Sequence, residues 1–435
     1  MSLMNKRRSL MLGLLAAPLV SSWPGLVSAA DDKAAVPADN APGRRLSRWT
    51  PGCLDIHHIA TGRGNATLVL MPDGTSLLID AGATADGLDV SVPTRPTIER
   101  RAGEWIGRYV LRHLAATGRS GLDYMLLTHL HPDHLGDIAP GQPTSVRGDY
   151  RLTGIMDVAE MLPIGTLIDR GFPAYDYPAP QTAAFATNYL AFVRSRVARG
   201  EPVERFRVGS GGQIRQRGRG PAGARFEVRN LIASGEVWTG QGDATRQLFP
   251  PLSTLAARDY PNENLCSAGI RIALGNFAYF TAGDLTSYTY DGEQPWRDAL
   301  TAAARAAGPV DVATADHHGL FDGLSADTVR TLRPRAWVIP GWHISHPDLL
   351  QLERMFSERL YPGPRDVFAT TVMEENLRAN HRLARRMRST DGHVVVRVAP
   401  DGASFRVAVT DNRDEQDRVK LVTGPYASGP KNGRV

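Results

Sequence analysis

Thr128-His129-Leu130-His131-Pro132-Asp133-His134-Leu135-Gly136-Asp137 is the stretch that decides how this chain is read. It follows the apolar run Met125-Leu126-Leu127, which predicts a β-strand ending at Thr128. Three histidines and an aspartate then fall between positions 129 and 134. Imidazoles and a carboxylate in a water-reachable loop at a strand end suit a divalent cation. They make a poor apolar core, and Pro132 forbids a regular helix running through them. His129 and His131, on alternate positions, can face one metal. Asp133 and His134 can then serve a second, neighbouring one.

Outward from this loop the text alternates between strand and helix. Leu68–Met71 and Leu77–Asp80 read as a hairpin turning at Asp73-Gly74. Ile98, Ala102, Trp105, Ile106, Tyr109, Val110 and Leu114 recur at helical spacing, with Gly118 as the stop. Further on, 158–162 and 183–199 read as helices, the second with Ala186, Leu190, Val193 and Val197 inward. Residues 166–168, 269–274, 278–281, 310–313 and 336–339 read as strands, and 209–225 as a loop. A closing hairpin spans 394–398 and 405–409 around Asp401-Gly402. This order predicts an α/β fold, and after Thr410 the chain reads as polar and loose.

The chain has 435 residues, 42% apolar and 22% charged, which excludes a disordered or fibrous protein. Only the first thirty residues hold a long apolar run, which excludes a polytopic membrane protein. There Lys6-Arg7-Arg8-Ser9-Leu10-Met11 precedes an apolar stretch to about Val20, and small residues follow at Val27–Ala30. This is the pattern of an export signal, with the paired arginines of a twin-arginine leader. An ordinary secretory signal and a retained anchor remain alternative readings. A periplasmic or secreted location follows, with no stable membrane span once the signal is removed. Without Lys6, Arg7 and Arg8, the 50 basic residues become 47 against 45 acidic ones. That balance does not indicate a nucleic-acid binder. The strip 194–229, with ten arginines and three glutamates, could still track a phosphate backbone or could be a solvated loop. Cys53 and Cys266 could pair in an oxidising compartment or stay as buried thiols. The expected organisation is a signal at 1–30, a linker at 31–50, a catalytic domain at 51–410 and a polar tail at 411–435.

His-x-His-x-Asp-His after a strand resembles the metallo-β-lactamase superfamily. Other landmarks occur in the matching order: Ile79-Asp80-Ala81-Gly82, Thr281-Ala282-Gly283-Asp284, Asp316-His317-His318-Gly319 and His346-Pro347. Gly62-Arg63-Gly64-Asn65-Ala66, with Asn264 and Ser267, is similar to the metallo-hydrolase domain of ComEC-type DNA-uptake proteins. The resemblance implies an αββα sandwich, two mixed sheets face to face with helices outside. It implies two metals, with His129, His131, Asp133, His134, Asp284 and His318 as ligands and Asp284 as the bridge. Asp80 would orient a ligand histidine. Asp133, His317 and His346 would be catalytic, and His317 and His318 could exchange roles. His343 is a weaker candidate, and His57 and His58 read as an edge-strand pair. His113, His381 and His393 read as surface or packing residues.

The chain departs from the superfamily in having no histidine between His134 and His317 to complete the first site. Asp169 and Asp176 are the substitutes at hand. An oxygen ligand there would admit Mn²⁺ beside Zn²⁺. The implied activity is hydrolysis by a metal-bound hydroxide, on phosphodiesters first. A lactone, amide or thioester hydrolase and a degenerate binding module are the alternatives.

Overall fold

The computed structural model describes residues 41–218 and 224–429. The expected export signal, most of the linker and the last residues of the tail lie outside these. Side-chain alternation along the strands sorts the apolar residues into layers. In the strand Leu122–Leu127, Tyr124 and Leu126 enter a core between two sheets, while Met125 and Leu127 enter a core beneath helices. In Ala336–Ile339 the same division puts Ala336 and Val338 between the sheets and Trp337 and Ile339 under the outer helices. Three apolar layers therefore separate four structural layers, the αββα arrangement.

The first sheet is built from β1 (Leu54–His58), β2 (Thr67–Leu70), β3 (Ser76–Ile79), β4 (Leu122–Leu127), β5 (Ile164–Asp169) and β6 (Val203–Arg205). The second contains β7 (Phe226–Ala233), β8 (Glu236–Trp238), β9 (Thr245–Gln247), β10 (Gly269–Leu274), β11 (Phe277–Thr281), β12 (Val312–Thr314), β13 (Ala336–Ile339) and β14 (Asp366–Ala369). The chain then returns to the first sheet as β15 (His393–Val398), β16 (Ser404–Thr410) and β17 (Val419–Ala427). The strand orders are 17-16-15-1-2-3-4-5-6 and 14-13-12-11-10-7-8-9. Both sheets are mixed: β3 to β6 and β11 to β14 run parallel, and the remaining neighbours are antiparallel. Helices α1 (Ala102–Leu114), α2 (Pro132–Leu135), α3 (Ile155–Met161) and α4 (Ala184–Ala198) belong to the first half. Helices α5 (Ala299–Ala307), α6 (Ala326–Leu332) and α7 (Leu349–Phe356) belong to the second.

Several expectations need correction. The stretch after Thr410 is not a loose tail, because β17 pairs with β16 along its length. The linker ends early: Trp49 is buried, and Arg45 bridges to Arg418. Helix α1 starts at Ala102, and Ile98 is exposed outside it. On α4 Ala186 and Val193 are buried as expected, but Tyr189, Phe192 and Arg196 join them while Val197 is half-exposed, so the inward stripe is shifted from the aliphatic one. The reading of Cys53 and Cys266 as buried thiols holds, because both are free and buried. His57 and His58 lie on β1, which has β15 on one side and β2 on the other and is no edge. In the arginine strip, Arg196 and Arg199 pair with Glu201, and Arg229 pairs with Glu227.

Burial of the packing histidines has a measurable consequence. It pushes His113 down to about 4, and His58 and His393 down to about 3. Unfolded histidines take up protons near ~6.5, so each site favours folding fully above that pH. The contribution is lost as pH falls toward the native value. Buried Asp157, Asp311 and Asp316 are pushed up and act in the opposite sense, so a single-site difference is the proper readout. The stability gap between the wild type and His113→Gln should therefore shift by up to about 3 kcal/mol against the wild type between pH 7 and pH 4. Urea titrations across that range check this, and a pH-independent gap contradicts it.

Candidate metal centre

The candidate ligands all sit just past the C-terminal ends of strands. Residues 129–134 follow β4, Asp284 follows β11, His317 and His318 follow β12, and His346 follows β13. Pro132 opens the one-turn helix α2, whose first position needs no backbone donor. That turn carries Asp133 and His134. The loops pack closely enough to require glycine. A Cβ on Gly82 would collide with the Asp133 carbonyl, and Gly283, at φ 57°, would press one within 2.8 Å of Thr128.

Two sets of donors result. Asp133, His134, Asp284 and His318 bring ligand atoms within 4.8 Å of one another, and so do His129, His131 and Asp284. Asp284 belongs to both: its Oδ1 lies 3.1 Å from His134 Nε2, and its Oδ2 lies 3.4 Å from His318 Nε2 and 3.7 Å from His129 Nε2. His131 and Asp284 therefore converge. Among the described residues, no further imidazole joins the first set.

The ring tautomers fit a cation. His318 Nδ1 lies 2.8 Å from the Pro340 carbonyl, and His134 Nδ1 lies 2.8 Å from Asp80 Oδ2. Both contacts require N–H at Nδ1, which leaves a neutral ring with a lone pair at Nε2. Those lone pairs point at carboxylates: His318 Nε2 is 2.8 Å from Asp133 Oδ2, and His134 Nε2 has no hydrogen-bond partner. His129 Nε2 and His131 Nδ1 face each other at 3.0 Å. Lone pairs and carboxylates converging in a buried site need positive charge among them. Without metal that charge is a proton. Burial alone would lower both imidazoles, but Asp284 and Asp133 outweigh it, taking His318 to about 10 and His134 well above the usual range.

Asp80 shows how the site is held from outside. It sits at φ 59°, a left-handed conformation. Its carboxylate accepts from Thr128 N at 2.8 Å, Thr128 Oγ1 at 2.9 Å and Asn65 Nδ2 at 3.0 Å, besides His134. Asp80→Asn keeps the shape but gives up the carboxylate that fixes the His134 tautomer. Zn²⁺ affinity should fall about 10–100-fold, and the buried donors left facing an amide should lower the melting temperature as well. Competition with a chromophoric chelator measures this, and wild-type affinity would contradict it.

His317 and His318, both at positive φ, divide the remaining work. His317 Nδ1 lies 2.6 Å from Asp322 Oδ1, while its Nε2 lies 3.2 Å from Asn264 Nδ2 and 3.9 Å from Asp284. His318, not His317, is in the ligand set. His346 is buried and stacks on His318 with centroids 4.8 Å apart and planes at 17°. Its Nδ1 accepts from His343 N at 3.3 Å, which leaves the proton on Nε2.

Other expectations fall away. Asp169 is no substitute ligand, because its oxygens accept from Tyr175, Tyr189 and two backbone N–H groups. Asp176 is exposed and outside both sets. His343 bonds Ser345, and His57 bonds Tyr109, away from the centre. His113 and His393 pack on Tyr109, and His381 is exposed. The sequence reading gave no role to Thr128, Asp316, Asp322 or Trp342, whose Nε1 donates to His318 Nε2 at 3.4 Å. Asp316 accepts from Thr314 Oγ1 and Ala282 N, tying the β12 loop to the β11 loop. Its place beside His317 was the only signal.

Residues 59–142, which hold the β2–β3 hairpin, α1, β4 and the His-rich turn, match the model of the Metallo-beta-lactamase superfamily. The two mixed sheets and outer helices around this segment are the metallo-β-lactamase fold. A solved structure, "Putative metal-dependent hydrolase" from Parabacteroides distasonis, is similar at 12% identity. The match covers 73% of this chain and 92% of that one, with a TM-score of 0.31. No curated protein matches the chain.

Proposed function

We propose that the protein is an exported, metal-dependent hydrolase of phosphodiesters. The observation that carries the reading is Asp284, one buried carboxylate shared by two donor sets. The second set, two imidazoles and two carboxylates, suits Zn²⁺. The first, with two imidazoles and the shared carboxylate, also admits Mn²⁺. When bound, the pair of cations would neutralise charge on substrate oxygens and lower the pKa of water.

The chain's own groups then divide the proton work. Burial opposes charge on His317, but Asp284 and Asp322 outweigh it and raise its pKa. As an imidazolium, with Asn264 turned so that its otherwise unpartnered Oδ1 faces the ring, His317 carries an Nε2–H that suits donation to a leaving oxygen. Burial, with His318 and His343 beside it, pushes His346 well below the usual range. A neutral His346 keeps its Nε2 proton and acts as a fixed hydrogen-bond donor to a substrate oxygen. Asp133 serves as ligand. The choice of phosphodiesters rests on the ComEC-like landmarks. Asn264 touches His317, and the Ser267 hydroxyl accepts from Asp284 N at 3.2 Å.

Protein purified without added metal should carry divalent cations and cleave bis(4-nitrophenyl) phosphate. Metal-loaded protein that ignores diesters and opens lactones or lactams would move the assignment to carbonyl substrates. Protein without metal or hydrolysis would be a binding module. Export is proposed on Arg7-Arg8 ahead of the apolar stretch. Replacing both with lysine should leave most of the precursor in the cytoplasm, as immunoblots of cell fractions would show. Unchanged export would exclude the twin-arginine route.

A further inference from the structure

Three aromatic rings stand exposed on the loops that run on from candidate site residues of the second sheet. Tyr288 is 40% exposed, Tyr290 46% and Phe321 53%. Tyr288 packs on Tyr290 with centroids 4.9 Å apart, and edge-on against Phe321 at 5.9 Å. These rings belong to the ligand loops themselves. Tyr288 follows Asp284 by four residues, and Phe321 follows His318 by three. Ser287 N donates to the Asp322 carbonyl at 2.9 Å, joining the two loops, and the Asp322 side chain holds His317. Leu349 and Leu350, also exposed, follow His346 by three and four residues, and Gln351 donates to the Phe321 carbonyl. Each of the three loops that present candidate site residues from the second sheet therefore continues into an apolar side chain left in water. Exposed rings clustered beside a polar centre mark a surface meant to be covered.

We propose that Tyr288, Tyr290 and Phe321 form a stacking platform for a planar aromatic group carried by the substrate. This makes the substrate an aryl or nucleobase-bearing ester, and it rests on the phosphodiester reading. The alternative occupant for an aromatic cluster is a quaternary ammonium group. The buried Arg297 disfavours it, because its guanidinium lies 5.1 Å from the Tyr290 ring and would repel a second cation. A neutral ring on an anionic ester meets no such repulsion, and stacking tolerates many ring types.

The test measures binding without turnover, using monoesters that resemble products. Metal-loaded mature protein is titrated calorimetrically with phenyl phosphate and methyl phosphate, and with AMP and ribose 5-phosphate. Phenyl phosphate should bind about tenfold tighter than methyl phosphate. Phe321→Ala and Tyr288→Ala should each erase most of that preference while leaving methyl phosphate binding unchanged. Phe321→Leu, which keeps apolar area without a ring, should lose most of it as well. The nucleotide pair separates the two ligand sources: a tenfold preference for AMP assigns nucleobases, and its absence assigns small aryl esters. Equal affinity for the phenyl and methyl esters would overturn the platform. So would tighter binding of phosphocholine than of phenyl phosphate, or a dimer that Phe321→Ala converts to monomer. A protein that hydrolyses no diester but shows the ring preference would keep this inference and lose the catalytic one. Hydrolysis without ring preference would do the reverse.

Discussion

Asp284→Asn should release cations from both donor sets together and lower phosphodiester hydrolysis by more than about 100-fold. Removing an outer-shell partner costs about 10–100-fold, and Asp284 is a direct ligand candidate in two sets at once. Asparagine keeps one acceptor oxygen but loses the charge. His134 Nε2 at 3.1 Å and His318 Nε2 at 3.4 Å would then face a neutral amide. Metal content per chain must be measured beside rate. A variant that kept two metals and most of its activity would show that Asp284 does not bridge.

His346→Ala and His317→Ala should separate the proton roles. His346 is a member of neither donor set, although it stacks on His318, so its loss should leave metal content intact. Losing one fixed donor costs about 10²–10³-fold in turnover, and the cost should be similar for good and poor leaving groups. Loss of His317 should instead grow steeper as the leaving group worsens, because protonation matters most there. A series of aryl methyl phosphates with graded phenol pKa values reads both slopes. Equal slopes for the two variants would remove the distinction between them.

The sequence shows the centre better than the frame around it. The His-rich turn is legible because four candidate ligands, three imidazoles and a carboxylate, crowd a strand end, and chemistry of that density has few other uses. Asp284 and His318 are legible only as family landmarks, since nothing local to them marks a ligand. Asp169 looked eligible because it ends a strand. What decides against it is Tyr175 and Tyr189, whose positions are tertiary information. Asp322 gave no signal, because it reaches His317 through a 3₁₀ turn rather than a periodic element. In the frame, strands with clean apolar runs were readable. β17 was missed because Lys420, Thr423, Gly424 and Pro425 interrupt its pattern at a sheet edge, where one side meets water. The shift on α4 was hidden because the large side chains of Tyr189, Phe192 and Arg196, all fully buried, share the inward face with the small aliphatics Ala186 and Val193.

The donor sets draw their side chains from both sheets. His129, His131, Asp133 and His134 come from the first, and Asp284 and His318 from the second. Neither half-chain alone can close either set. A cation bound there acts as a rivet through the middle of the sandwich, engaged only after the two halves have come together. Chelation should therefore loosen this junction before it loosens either sheet. Hydrogen exchange should report it first at the backbone amides that cross the gap, such as Ala268 N on the Thr128 carbonyl. The same geometry makes metal loading a report on assembly, since ligand affinity for the folded state adds directly to its stability.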